Sequence, residues 1–259
     1  MAPAANAPLL AVNGVTLRYR DRSRIVTATE SVCFTVSRGD RVVLLGPSGC
    51  GKSTLLKAVG GFLNPSEGEI ALNGRRVTAP GQDRVMVFQE FDQLLPWKTV
   101  RENVAFGLIA SRSLPKREAH ACALEAIRTV HLEKFADAYP HTLSGGMKQR
   151  VAIARCLAMK PEIILMDEPF AALDALSRRR MQDELLELWR EYRFTMLFVT
   201  HSIEEALLLG SRIVVMSPHP GRIEEIIETA QLQAASGSHP DIAERIRRAL
   251  FRNAPDYVI

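Results

Sequence analysis

The chain has 259 residues, 47% of them hydrophobic and 24% charged, with a formal net charge of +4. This length and apolar content suit a large buried core and exclude a disordered or fibrous chain, while basic clusters as scattered as Arg75-Arg76, Arg178-Arg179-Arg180 and Arg245 with Arg247-Arg248 read as solvated helix faces, not as a nucleic-acid surface. No run of about eighteen apolar residues occurs, so no membrane span is expected and any membrane role must come through a partner.

The opening, MAPAANAPLL, lacks the basic start and apolar core of a signal peptide, and residues 1–8 read as a flexible terminus. From Leu9 to Val36, and again from Gly68 to Val77, polar and apolar residues alternate between glycine turns, which predicts an antiparallel β flank. Five continuous apolar runs are short enough for strands covered on both faces: RVVLL before Gly46, VMVF before Gln89, IILM before Asp167, TMLFVT before His201 and RIVVM before Ser217. Helical patterns lie between them at Ser53 to Val59, Met147 to Met159 and Leu176 to Tyr192, and this alternation predicts an α/β core with a mainly parallel sheet. From Val100 to Tyr139 the spacing turns helical, with Val104 and Leu108 four apart and Leu124, Ile127 and Val130 three apart. A helical subdomain over about 91–160, inserted in the core, is the expectation. After Arg222 come two amphipathic pieces, IEEII and IAERIRRALF, with residues 226–259 forming a C-terminal tail. The four cysteines form no CxxC pair and have no metal-ligand spacing, which points to a reducing, cytoplasmic setting.

GPSGCGKST, from Gly46 to Thr54, fits G-x-x-x-x-G-K-[ST] and has the required context, a strand before it and a helix after it. Along Gly46, Pro47, Ser48, Gly49, Cys50 and Gly51 the small residues let backbone N–H groups face a triphosphate. Lys52 reaches its β/γ oxygens, and the hydroxyl of Ser53, followed by Thr54, can ligand Mg²⁺. IILMDEPF ends a buried strand in two acids. Asp167 suits the magnesium shell, and Glu168, one residue on and pointing elsewhere, suits polarisation of an attacking water. Gln89 could contact both the metal and that water through its amide. His201 stands at another strand end, where an imidazole N–H could bond a γ-phosphate, and Tyr19 could stack on adenine. LSGGMKQR is a second anion-suited helix entrance, with Ser144 as cap and the amides of Gly145 and Gly146 bare. One chain thus carries two phosphate-suited entrances, although one cradle suffices for one nucleotide.

The order GPSGCGKST, VFQ, LSGGMKQR, IILMDEP, ALD at Ala172 to Asp174, then VTH resembles the ATP-binding subunits of ABC transporters, from Leu9 to about Gly221. The resemblance implies an ABC ATPase domain over 9–225, built as a RecA-like P-loop NTPase core with an antiparallel β flank and an inserted helical subdomain. It implies hydrolysis of ATP to ADP and phosphate, with Mg²⁺ held by Ser53, Gln89 and Asp167. It makes Tyr19 the adenine-stacking aromatic, Gln89 the γ-phosphate sensor, Glu168 the general base and His201 the switch. It also implies a head-to-tail homodimer, in which Ser144, Gly145, Gly146 and Gln149 close over the nucleotide of the partner subunit and Asp174 lies in the loop that crosses to it. That arrangement answers the question of the second entrance. The implied partners are integral-membrane permease subunits and, indirectly, a periplasmic or lipid-anchored solute-binding protein, with no nucleic acid. The implied location is the cytoplasmic face of the inner membrane. VFQEFDQLLPWKTVRENVAFGL and MSPHPGRI further resemble the importer branch for nitrate, taurine and other sulfonates, which has relatives serving pyrimidine precursors. In it Leu94, Leu95 and Trp97 of LLPW would suit a groove for a permease helix, or else the core of the helical subdomain. Ala171-Ala172 depart from the glycine or serine frequent there, which touches only the local loop.

Overall fold

The computed structural model describes residues 7–21, 24–88, 93–230 and 240–252. Gln89 therefore lies outside the described residues, as do residues 1–6 of the expected flexible terminus. Two compact units are present, Met1–Gly81 with Phe194–Ile259, and Gln82–Arg193. In chain order the strands are β1 (Leu10–Asp21), β2 (Arg24–Val36), β3 (Arg41–Leu45), β4 (Glu67–Leu72), β5 (Arg75–Arg76), β6 (Arg84–Val87), β7 (Ile163–Asp167), β8 (Met196–Thr200), β9 (Arg212–Met216) and β10 (Ile223–Glu228). The helices are α1 (Lys52–Val59), α2 (Val100–Ala110), α3 (Lys116–Thr129), α4 (Gly145–Ala158), α5 (Ala175–Tyr192), α6 (Ile203–Leu209) and α7 (Pro240–Phe251).

In the first unit, β1 pairs antiparallel with β2 on one side and β4 on the other, and β5 extends the row. This is the expected antiparallel flank. Its alternating sequence becomes alternating burial: Val32, Phe34 and Val36 of β2 are buried, while Ser31, Cys33 and Thr35 between them are exposed. A second sheet runs β10, β9, β3, β8, parallel except for β10. Every residue of β3 and β8 is buried, as their uninterrupted apolar sequence requires of strands covered on both faces. Helix α1 packs against β8, α6 against β3 and β8, and α7 against α6, β9 and β10. The expected tail boundary at 225 falls inside β10, and Ile246 and Ala249 of α7 are buried, so both amphipathic pieces belong to this unit.

In the second unit, β6 and β7 form a parallel pair. Helices α2, α3 and α4 pack on one another around Val104, Leu108, Ile127 and Ile153. A capping box starts α2: Thr99 Oγ1 accepts from Glu102 N–H at 3.3 Å, and Glu102 Oε2 accepts from Thr99 N–H at 2.9 Å. One turn on, the fully buried Asn103 accepts from Leu95 N–H at 2.7 Å and donates to carbonyls of Leu95, Lys98 and Thr99 at 3.0–3.1 Å. Segment 95–99 is thereby fastened to α2.

Candidate functional site

In the first unit, β3 runs out at Leu45 and hands the chain to the loop from Gly46 to Gly51. Gly51 is the N-cap of α1 at φ 97°, a left-handed conformation natural to glycine, and a Cβ there would lie 2.5 Å from Ala28 O. No side chain caps α1, and a helix entrance of this kind suits an anion. Lys52 is 4% exposed and donates its ammonium to Gly46 O at 2.7 Å and Pro47 O at 2.9 Å. Cys50 is buried beneath the loop, and desolvation pushes its thiol pKa up against the opposing pull of Lys52. Ser48 and Gly49 are exposed at the tip, and Ser53 and Thr54 are half-buried on α1. His201 is exposed just beyond β8, where Ser202 caps α6. Tyr19 on β1 is 51% exposed, and its ring is accessible to a planar ligand.

In the second unit, β7 delivers Asp167, 7% exposed, at its last position. Glu168 follows at φ 42°, left-handed for a non-glycine residue, so the backbone turns sharply between the two acids. Ser144 caps α4, its hydroxyl accepting from Met147 N–H at 3.3 Å, and a Cβ on Gly146 would meet nothing within 4 Å. Asp174 caps α5 by accepting from Ser177 N–H at 3.0 Å, and the hydrogen bonds from Ser177 hold its carboxyl below the usual carboxylate range. Ser144, Gly145, Gly146, Asp174, Ser177 and Arg180 line one cavity of about 390 Å³. The LSGG and ALD segments, 28 positions apart from Gly146 to Asp174, thus share a wall.

Gln149 departs from expectation. Its side chain is fully buried in α4, and among the described residues neither amide atom has a hydrogen-bond partner. Of LLPW, Leu94 is core, Leu95 is half-buried and Trp97 is 70% exposed, so the core reading fits Leu94 and does not fit Trp97. Three arginines were not picked out as site residues. Arg180 lines the cavity, Arg150 lines it and pairs with Glu184 of α5, and Arg178 donates to Phe170 O at 3.3 Å and Leu173 O at 3.0 Å, bracing the loop that ends at Asp174. The signal for Arg178 was its position four residues after Asp174, one helical turn past a cap.

A family model described as ABC transporter matches residues 29–171. A taurine import ATP-binding protein of Rhizobium johnstonii is 54% identical over 77% of this chain and 76% of its own length. An aliphatic sulfonates import ATP-binding protein of Bacillus cereus is 44% identical over 85% of each chain. Among solved structures, a dimeric ATP-binding cassette in a post-hydrolysis state with ADP and Pi superposes with a TM-score of 0.73 at 34% identity, covering 85% of this chain and 98% of that one. The cbiO1 subunit of an ABC transporter complex from Clostridium perfringens superposes with a TM-score of 0.76 at 28% identity, covering 93% and 99%.

Proposed function

Because the chain belongs to the ABC transporter family, as an ATP-hydrolysing cassette with the RecA-like core of that family, we propose that it energises uptake of a small sulfonate of the taurine type. It does so as a homodimer acting on a separate membrane permease served by a solute-binding protein. The solute class is supported by the relatives that carry taurine and aliphatic sulfonates in their names. Among the described residues no helix is long and apolar enough to cross a membrane; the place assigned to the chain is the cytoplasmic face of the membrane, beside the permease.

The observation that carries the dimer reading is the cavity between Ser144 and Asp174. It offers the helix entrance of Ser144, Gly145 and Gly146 and a basic group, Arg180, yet its lining holds neither the lysine nor the glycine loop that would hold a triphosphate by itself. A site of that kind suits the exposed end of a nucleotide already held elsewhere, which is the γ-phosphate on the partner subunit. The loop from Gly46 to Thr54 binds the phosphates, Lys52 exchanges its two carbonyl partners for phosphate oxygens, and Tyr19 stacks on the base. Glu168 accepts a proton from the attacking water, and Gln89 and His201 orient the water and the γ-phosphate. Asp167 and the Ser53 hydroxyl fit Mg²⁺ as hard oxygen donors. Mg²⁺ keeps several waters and takes one or two protein oxygens beside the nucleotide phosphates, and these two residues would supply them. When bound, the ion neutralises charge on the transferred phosphoryl group. Hydrolysis removes the phosphate that both subunits hold, and with it the ligand that favours the closed pair.

Glu168→Gln keeps the shape of the site and removes the base. With Mg-ATP it is expected to run as a dimer in size-exclusion chromatography with light scattering, and to hydrolyse ATP at least about a hundredfold more slowly than wild type. A variant that stays monomeric at saturating Mg-ATP contradicts the dimer reading.

A further inference from the structure

The turn between β9 and β10, Ser217–Arg222, has no part in the reaction above, yet its backbone reaches the phosphate loop. Gly221 N–H donates to Ala28 O at 2.9 Å and Gly221 O accepts from Glu30 N–H at 3.0 Å, forming a parallel bridge with Thr29. That same piece of β2 lies against the loop, since a Cβ on Gly51 would stand 2.5 Å from Ala28 O and 2.7 Å from Thr29 Cγ2. A Cβ on Gly221 would run into the carbonyl oxygen of Cys50 and come within 2.8 Å of Met216 Cε. Three stretches of backbone therefore meet in direct contact: Ala28–Glu30, Cys50–Gly51 and Gly221.

The turn is closed on itself. Ser217 N–H donates to Arg222 O at 2.8 Å, and the Ser217 hydroxyl accepts from Arg222 N–H at 2.9 Å while lying 3.0 and 3.1 Å from the carbonyl oxygens of Pro218 and Pro220. Arg222 pairs with Glu30 at 2.7 Å. Gly221 thus sits in a braced position and is not free to retreat from the loop.

We propose that Gly221 is a positioning residue for nucleotide phosphate, the backstop that sets the peptide between Cys50 and Gly51. The carbonyl and the N–H of one planar trans peptide point in opposite directions. With the Cys50 carbonyl against Gly221, the N–H of the same peptide, that of Gly51, is aimed away from Gly221. A methyl at position 221 must push that carbonyl aside and turn the N–H with it. The requirement is for the absence of a side chain, so alanine, the smallest change, is already disruptive. This inference rests on the reading of Gly46–Thr54 as the phosphate cradle.

The test compares binding of ADP and AMP, by displacement of a fluorescent ATP analogue, in wild type, Gly221→Ala, Lys52→Ala and Gly74→Ala. Gly74 is a left-handed turn glycine whose Cβ would meet nothing within 4 Å, so it controls for loss of stability alone. In Gly221→Ala the preference for ADP over AMP is expected to fall about tenfold, the equivalent of one charge-assisted hydrogen bond. AMP affinity should change less than twofold, and Gly74→Ala should keep the wild-type ratio. A folded Gly221→Ala with the wild-type ratio overturns the proposal while leaving the cradle intact. A wild type that does not prefer ADP, and matches Lys52→Ala, overturns the cradle itself. If Gly221→Ala does not fold, Ser217→Ala, which loosens the turn, is expected to lower the ratio two- to fivefold, and an unchanged ratio there overturns the proposal.

Discussion

Lys52 bonds two carbonyls of its own loop, Gly46 O and Pro47 O, which holds an almost fully buried ammonium in place. Phosphate oxygens are stronger acceptors because they are charged, so nucleotide binding improves partners that are already satisfied. Lys52→Ala is accordingly expected to weaken Mg-ATP binding at least about tenfold in a calorimetric titration, from the loss of charge-assisted bonds of about 1.5–3 kcal/mol each. Unchanged affinity would contradict the role given to Lys52. This residue was legible in the sequence because its neighbours are fixed by chemistry: glycines where backbone must face phosphate, and a helix start immediately after. Gln149 was not legible in the same way. LSGGMKQR shows that it follows the helix entrance, but its depth depends on how α4 rotates against its neighbours, and the structure turns its amide inward. Gly221 lies in MSPHPGRI, yet its importance lies in contact with Ala28 and Cys50, residues more than 150 positions away in sequence. No local pattern encodes that contact.

At the level of elements, the start of α2 depends on the exchange between Thr99 and Glu102. The backbone N–H of Thr99 holds the Glu102 carboxyl below its usual range. A carboxyl depressed in the folded state adds stability above its unfolded range, and loses that contribution as pH falls through the folded value. Thr99→Ala is expected to cost about 1 kcal/mol in urea denaturation at pH 7, the usual value of an N-cap. Glu102→Ala should destabilise at pH 7 but converge on wild type as the pH drops below the carboxylate range. A difference independent of pH would contradict the capping role. The parallel strands were the most legible elements, because β3, β7 and β8 are buried along their whole length and show it as unbroken apolar sequence. IEEII could not be assigned. As β10 it pairs through its backbone with β9 and fully buries only Ile227, leaving Ile226 exposed, so its sequence carries too little periodicity to declare a strand.

For the whole molecule, the proposed function makes each chain half of two nucleotide sites and a lever on a membrane permease. Trp97 is the exposed aromatic of LLPW; Phe106 of α2 is exposed as well, with the Lys98 ammonium 5.8 Å from its ring centroid. Large aromatics of this kind dominate interface energetics. Trp97→Ala is expected to leave the ATPase rate of the isolated subunit within twofold of wild type. It should reduce co-sedimentation with membrane vesicles carrying the permease at least about thirtyfold in affinity, the equivalent of 2 kcal/mol. Undiminished binding would move the docking surface elsewhere. The central claim concerns ownership: Ser144 belongs to the nucleotide of the partner subunit, not to the nucleotide that Lys52 holds. The most direct measurement is ATP affinity of monomeric Ser144→Arg, set beside its steady-state turnover. The account predicts wild-type affinity within about twofold and no measurable turnover, because the bulky cation blocks only the closed pair. Loss of monomer affinity comparable to that of Lys52→Ala would place Ser144 on its own chain's nucleotide and contradict the account.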